Sequence, residues 1–204
     1  MPTIEHNVLS GGDLHEPKGV AGASANQVYA ANGSGSGAWS TLYLQGWEDY
    51  NDSGSSQPLS TVPTYTDLSN DGLNTYTSTA YRLPGRTAIW DTANNQFDFS
   101  SLNLGDTVDI RLDFNITTTS ASNDISYGLD LAHGDATEYR LIFNTNTYKA
   151  AGTHGSINWI GIYMGNLATL NNPAKIIMAS DAAGDSVVFN GLYARVTPRI
   201  PVLG

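Results

Sequence analysis

Apolar and polar residues alternate most regularly over residues 108–116. Val108, Ile110, Leu112, Phe114 and Ile116 fall on one side, and Asp109, Arg111, Asp113 and Asn115 on the other. A period of two sends successive side chains to opposite faces of a strand, so this segment predicts a strand with one dry and one wet face. Residues 125–131 repeat the alternation between Asn123-Asp124 and Gly134-Asp135. Further strands are predicted over 40–47, 81–84, 86–90, 97–99, 139–143, 157–164, 175–178 and 187–196, each bounded by turn-forming residues. The 157–164 strand is apolar on both sides, which places it centrally or at a subunit contact. No stretch keeps an i, i+3, i+4 apolar pattern for three turns, so no long helix is expected. The pattern predicts an all-β fold, an antiparallel, jelly-roll-like β-sandwich over residues 40–204.

Two regions break the pattern. Residues 48–78 are dominated by Ser, Thr, Asn, Asp and Gly, which favour turns, and read as a long polar loop. Residues 1–39 read as an extended arm. Two thirds of residues 19–39 are Gly, Ala or Ser, so the arm has little with which to offset a backbone ordering cost of roughly 1–2 kcal/mol per residue. Its few anchors are Pro17, Val20, Val28, Tyr29 and Trp39. Bare backbone punctuated by anchors is suited to lying on another surface, whereas a pure linker would carry none.

The string Asp13-Leu14-His15-Glu16-Pro17-Lys18-Gly19, followed by residues 25–39 (ANQVYAANGSGSGAW), resembles the N-terminal segment of small structural proteins of tailed bacteriophage particles, particularly capsid decoration or head-fibre proteins. The resemblance covers roughly the first fifth of the chain. It implies a non-enzymatic virion component that grips the major capsid protein of the phage particle, with His15, Glu16, Pro17, Lys18, Gly19, Val28, Tyr29 and Trp39 as attachment residues. Tail-fibre proteins carry similar Gly-rich attachment segments, so the alternative it leaves is a tail-fibre or receptor-binding protein that recognises host glycan.

Composition narrows the partners. Nine basic residues against 19 acidic ones give a net charge of −10, and the Lys and Arg residues do not cluster. Nucleic acid and anionic membranes both need basic patches, so neither is expected as a partner. Repulsion from packaged DNA would put the protein on the outer surface of a capsid. There is no cysteine, hence no disulfide framework, thiolate metal site or Cys nucleophile. The opening Met-Pro-Thr-Ile-Glu-His-Asn lacks the basic and apolar regions of a secretory leader, and none is expected.

Candidate chemistry is sparse. Asp109 and Asp113 lie on the wet side of their strand, with Asp98 and Asp130 in similar exposed positions, but carboxylates four residues apart along a strand are too distant for glycoside hydrolysis, at about 13 Å. Arg111 between them reads as their counter-charge. His133, Gly134 and Asp135, with Asp130 upstream and His154 in another turn, include divalent-metal ligand types, yet they match no metal-loop spacing and read as a hairpin end. No nucleophile elbow or phosphate loop is present. No enzyme activity, cofactor or metal is therefore expected. Flat aromatics on a sandwich also suit sugars, but Trp47, Trp90, Trp159 and Tyr163 read first as core or contact residues. The surplus of apolar residues in 157–164 and 187–196 predicts a homotrimer joined through Trp90, Trp159, Ile162 and Tyr163, with Asp109 and Asp113 pointing away from the contact.

Overall fold

The computed structural model describes residues 22–31, 37–52, 54–71, 76–200 and 202–203. In chain order the strands are β1 (Gln27–Ala31), β2 (Gly37–Tyr43), β3 (Gly46–Asn51), β4 (Gln57–Pro58), β5 (Ser60–Thr61), β6 (Thr66–Asp67), β7 (Tyr76–Ser78), β8 (Trp90–Asp91) and β9 (Gln96–Phe97). They continue with β10 (Thr107–Thr118), β11 (Asn123–Leu131), β12 (Tyr139–Tyr148), β13 (Gly152–Tyr163), the short helix α1 (Leu167–Asn171), β14 (Lys175–Ser180), β15 (Ser186–Thr197) and β16 (Val202–Leu203). Among the described residues no helix is long and apolar enough to cross a membrane.

The chain divides into two compact units. The first comprises Met1–Tyr43 and Val202–Gly204. Its described part is not an extended arm but a small antiparallel sheet in the order β1-β2-β16. Val28 pairs with Ser40 and Tyr29 with Trp39, and the Tyr29 and Trp39 rings meet edge-on at 5.5 Å. β-formers at paired positions supply the closing contacts, and a cross-strand pair of this kind contributes about 0.2–1 kcal/mol. Because β2 runs on to Tyr43, the unit ends there and not at Trp39. The expected attachment residues His15, Glu16, Pro17, Lys18 and Gly19 lie outside the described residues.

The second unit, Leu44–Pro201, is a two-sheet sandwich. One sheet runs β13-β10-β15-β3-β7 and the other β12-β11-β14-β5, with β4 added to β15 and β6 to β14. The chain crosses between sheets from β10 to β11, from β12 to β13 and from β14 to β15, which is jelly-roll wiring. The alternation over 108–116 appears as predicted, because Val108, Ile110, Leu112, Phe114 and Ile116 are all buried. Phe114 meets Tyr127 of the opposite sheet at 5.8 Å and Phe189 of its own at 5.8 Å. Between Asp113 and Phe114 the β10–β15 register slips at a bulge. Asn190 is the extra residue, and Gly191 beside it takes φ +139, where a Cβ would lie 2.2 Å from the Tyr50 carbonyl oxygen, so no larger residue fits.

Three expectations give way here. Residues 48–78 are not a long polar loop, because they supply most of β3 and all of β4 to β7 and bury Tyr50, Leu59 and Leu68. Their pairings are short and reach distant strands, which leaves no local period to read. The segments 81–84 and 86–90 are mostly irregular, with only β8 beginning at Trp90, although Leu83 and Ile89 still enter the core. Of the two places expected for the 157–164 strand, the central one is excluded, because β13 forms one edge of its sheet.

Candidate functional site

From Ser156 onward edge strand β13 buries its even residues and exposes its odd ones, of which Ile157, Trp159 and Tyr163 are 68%, 56% and 70% accessible. Its neighbours carry the same outward face inward across the sheet. Arg111 of β10 lies opposite Trp159 on one side and Tyr193 of β15 on the other, and Tyr193 lies opposite Asp49 of β3. Although β10 separates their strands, the Trp159 and Tyr193 rings meet edge-on at 6.1 Å. Tyr193 approaches Trp47 at 5.7 Å, and Trp47 stacks on Tyr81 at 4.7 Å. An aromatic ridge therefore crosses the outer face of the sheet, from its edge to the segment beyond β3.

Charged pairs fill the ground beside the ridge. Asp113 receives Arg111 in bidentate fashion, at 3.1 Å from Nε and 2.9 Å from Nη2, and Asp109 receives Arg195 at 2.7 Å. The Arg111 guanidinium also stands 5.8 Å from the centre of the Tyr193 ring. Asp109 and Asp113 thus share a face with Trp159 and Ile157, and do not point away from it as expected. In-phase alternation on two paired strands forces this arrangement, since Asp113 lies directly opposite Ile157. A face of Trp, Tyr and Arg over neutralised carboxylates matches the composition of protein-contact hot spots.

Trp90 and Ile162 do not belong to this surface. Trp90 is 1% exposed and packs against Phe97 and Phe189 at 4.9 and 5.7 Å, while Ile162 is 6% exposed on the inner face of β13. Their expected interface role is replaced by core packing. In the first unit Val28 and Tyr29 are partly exposed and Trp39 is half-buried.

A second surface feature is a cleft of about 660 Å³ flanked by Tyr139 of β12 and Tyr163 of β13, with Leu141, Thr137 and Asn166 among its walls. Among the described residues no charged one lines it. Gly165 shapes its rim, because a Cβ there would lie 2.4 Å from the Tyr163 ring. Next to this cleft, the 132–138 turn reassigns the residues that the sequence offered as metal ligands. Asp135 spends its carboxylate on the Thr137 N–H and hydroxyl, at 2.8 and 2.7 Å, and these bonds hold it below the usual carboxylate range. His154 bonds the Ala150 carbonyl oxygen elsewhere. Glu138 instead joins His133 and Asp130. Asp130 is not an exposed strand residue but is 2% accessible, since the turn folds back over it.

No family model matches the chain, and no curated protein matches it significantly. Among solved structures it is similar to Eiger, a TNF from S. frugiperda, at 7% identity and a TM-score of 0.44 over 76% of this chain and 92% of that one. It is similar to the CBM22-1 xylan-binding domain of Paenibacillus barcinonensis Xyn10C at 10% identity and a TM-score of 0.36, over 78% and 96%. It is also similar to the Tobacco streak virus coat protein at 14% identity and a TM-score of 0.29, over 79% and 89%. With TM-scores of 0.44 and below, these likenesses decide nothing about what the chain does.

Proposed function

We propose that the chain is a non-enzymatic structural protein of a virus particle, of the capsid decoration or head-fibre type. Its N-terminal unit binds the major capsid protein on the outer surface, and its jelly-roll unit associates with two further copies. The observation that carries this reading is the exposed face of edge strand β13, where Ile157, Trp159 and Tyr163 continue into the Tyr193–Trp47 ridge. The phage-like segment around His15–Gly19 and Val28–Trp39 supplies the particle as partner. Association adds buried surface between capsid subunits and so resists opening of the shell. A trimer also lets three weak attachments act together through their effective concentration.

Deleting residues 1–43 removes β1 and β2 and leaves the sandwich strands intact. The shortened protein should be soluble and folded by circular dichroism and should fail to join particles in a sedimentation assay. Full decoration by it would overturn the attachment reading. Light scattering at micromolar concentration should report three chains for the intact protein and one for Trp159→Glu, because a charge placed at the ridge meets an apolar contact. A trimer indifferent to that substitution would place the contact elsewhere.

A second reading, a tail-fibre or receptor-binding protein, draws on the uncharged cleft between Tyr139 and Tyr163. Tyrosine faces with hydroxyl and amide groups nearby suit a neutral sugar. Saturable glycan binding that is lost on Tyr163→Ala would favour it.

A further inference from the structure

Among the described residues, four carboxylates in the sandwich are no more than 2% exposed: Glu48, Asp106, Asp130 and Asp185. Three of them are met on both oxygens. Glu48 accepts from the Ile89 N–H and the Tyr76 hydroxyl on Oε1 and from Arg82 on Oε2, all within 3.0 Å. Asp106 accepts from the Arg199 N–H on Oδ1 and from the Asn103 N–H and Arg86 on Oδ2. Asp185 accepts from Thr119 and Asn123 on Oδ1 and from Asn123 and Ser180 on Oδ2. Asp130 differs. His133 Nδ1 stands 3.1 Å from its Oδ2 and the Arg140 guanidinium 4.0 Å away, while its enclosed Oδ1 has no hydrogen-bond partner. A buried carboxylate oxygen left bare has lost its water without return, which native structures rarely tolerate unless something else fills the place.

This carboxylate belongs to a convergence of ligand atoms. One donor atom each from Asp130, His133 and Glu138 lies within 4.8 Å of the others, and His133 Nδ1 is 3.6 Å from Glu138 Oε2. Two donors bound tetrahedrally to one zinc ion, with bonds of about 2.0–2.2 Å, stand about 3.3–3.6 Å apart; the His133–Asp130 and His133–Glu138 separations are 3.1 and 3.6 Å, and the third pair, Asp130–Glu138, lies within 4.8 Å. The surrounding backbone holds the donors in place. The His133 N–H donates to the Pro173 carbonyl oxygen at 2.8 Å, and the Gly134 N–H donates to Glu138 Oε2 at 2.9 Å.

We propose that Asp130, His133 and Glu138 form a binding site for a divalent ion of the zinc class, with water as the fourth ligand. One imidazole nitrogen with two carboxylates suits zinc, whereas calcium takes six to eight oxygens and magnesium keeps most of its waters. The ion replaces the Nδ1 hydrogen that otherwise links His133 to Asp130. The metal-bound ring is neutral with its single proton on Nε2, so a proton that Nδ1 carried moves to Nε2 or, where the ring was doubly protonated, to solvent. Binding ties the end of β11 to the start of β12. Leu131, Ala132, Thr137 and Tyr139 from this turn line the Tyr139–Tyr163 cleft, so the ion fixes one wall of it. The site is independent of the particle role.

The test is titration of full-length, chelator-treated protein with Zn²⁺ by calorimetry, and with Co²⁺ followed by visible absorption. One equivalent should bind, Co²⁺ should develop the intense bands of a tetrahedral site, and Zn²⁺ should raise the unfolding temperature. His133→Ala and Glu138→Gln should each weaken Zn²⁺ binding at least about tenfold. Glu138 is about one third exposed, so Glu138→Gln should leave the unfolding temperature of the metal-free protein unchanged, whereas His133→Ala also takes the one close partner from buried Asp130 and should lower it; His154→Ala should leave binding unchanged. Absence of a saturable Zn²⁺ site would overturn the proposal. So would binding that ignores His133→Ala and Glu138→Gln, or a site that takes Ca²⁺ or Mg²⁺ and refuses Zn²⁺.

Discussion

Asp185 and Asp130 are equally buried acids near opposite ends of strand β11, and their surroundings are reversed. Asp185 joins Thr119 just past β10, Asn123 at the start of β11 and Ser180 at the end of β14, so one carboxylate ties the ends of strands from both sheets. Asp130, near the far end of β11, holds one imidazole and leaves an oxygen bare. The first is a finished piece of structure. The second has its partners on one oxygen only, and burial leaves the other unmet. The difference shows that burial of an acid says little by itself, and that the count of donors on each oxygen separates structural glue from a binding site.

The largest effect that would break this contrast is expected at Asp185. Asp185→Ala strands the Thr119 N–H, the Asn123 amide and the Ser180 hydroxyl, and leaving such groups unmet costs roughly 1–3 kcal/mol each before water relieves some of them. A loss of about 3 kcal/mol or more in urea unfolding is expected. Acid should act through the same group. Burial raises the Asp185 carboxyl, but bonds from Ser180, Thr119 and Asn123 outweigh it, so its folded pKa lies below the ordinary value. A lowered folded pKa contributes stability that is present above the unfolded pKa and is lost as pH falls through the folded one. Asp185→Asn should therefore flatten that part of the stability profile. An Asp185→Ala protein within about 1 kcal/mol of the wild type would end the reading of Asp185 as a knot.

Much of the sandwich was legible in the sequence, because period two over 108–116 and 125–131 reports which side chains share a face of their own strand. It does not report which strand lies next door. That gap explains the errors at Trp90, at Ile162 and at the Asp109–Asp113 row, since aromatic content and alternation are the same for a core-facing and a partner-facing position until pairing is known. Residues 48–78 were opaque for a related reason: two-residue strands paired over long separations leave no period. The hairpin of Val28 and Trp39 was hidden by the small residues between its anchors. At the candidate ion site, Asp130 and His133 were visible as ligand types. Glu138 was not, because it arrives only when the turn folds back, and Asp135, nearer in sequence, is consumed by Thr137.

The smallest expected effect sharpens the comparison most. Asp130→Asn keeps the size of the side chain and leaves an amide oxygen to accept from His133 Nδ1, so it strands no donor that Asp130 now serves in the absence of metal. It also removes a buried negative charge that only one close neighbour compensates. The metal-free protein should therefore change by about 1 kcal/mol or less, in either direction, against the several expected at Asp185. In the presence of zinc the two proteins should diverge, because an amide is a far weaker ligand than a carboxylate and the stabilisation linked to bound ion, which grows with the logarithm of its concentration, disappears. Unfolding curves of Asp130→Asn and wild type with chelator and with excess Zn²⁺ make the comparison in four measurements. Curves that coincide under chelator and separate under zinc identify Asp130 as a ligand. A large loss already present under chelator would make it a structural acid like Asp185, with its bare oxygen left to some contact other than an ion.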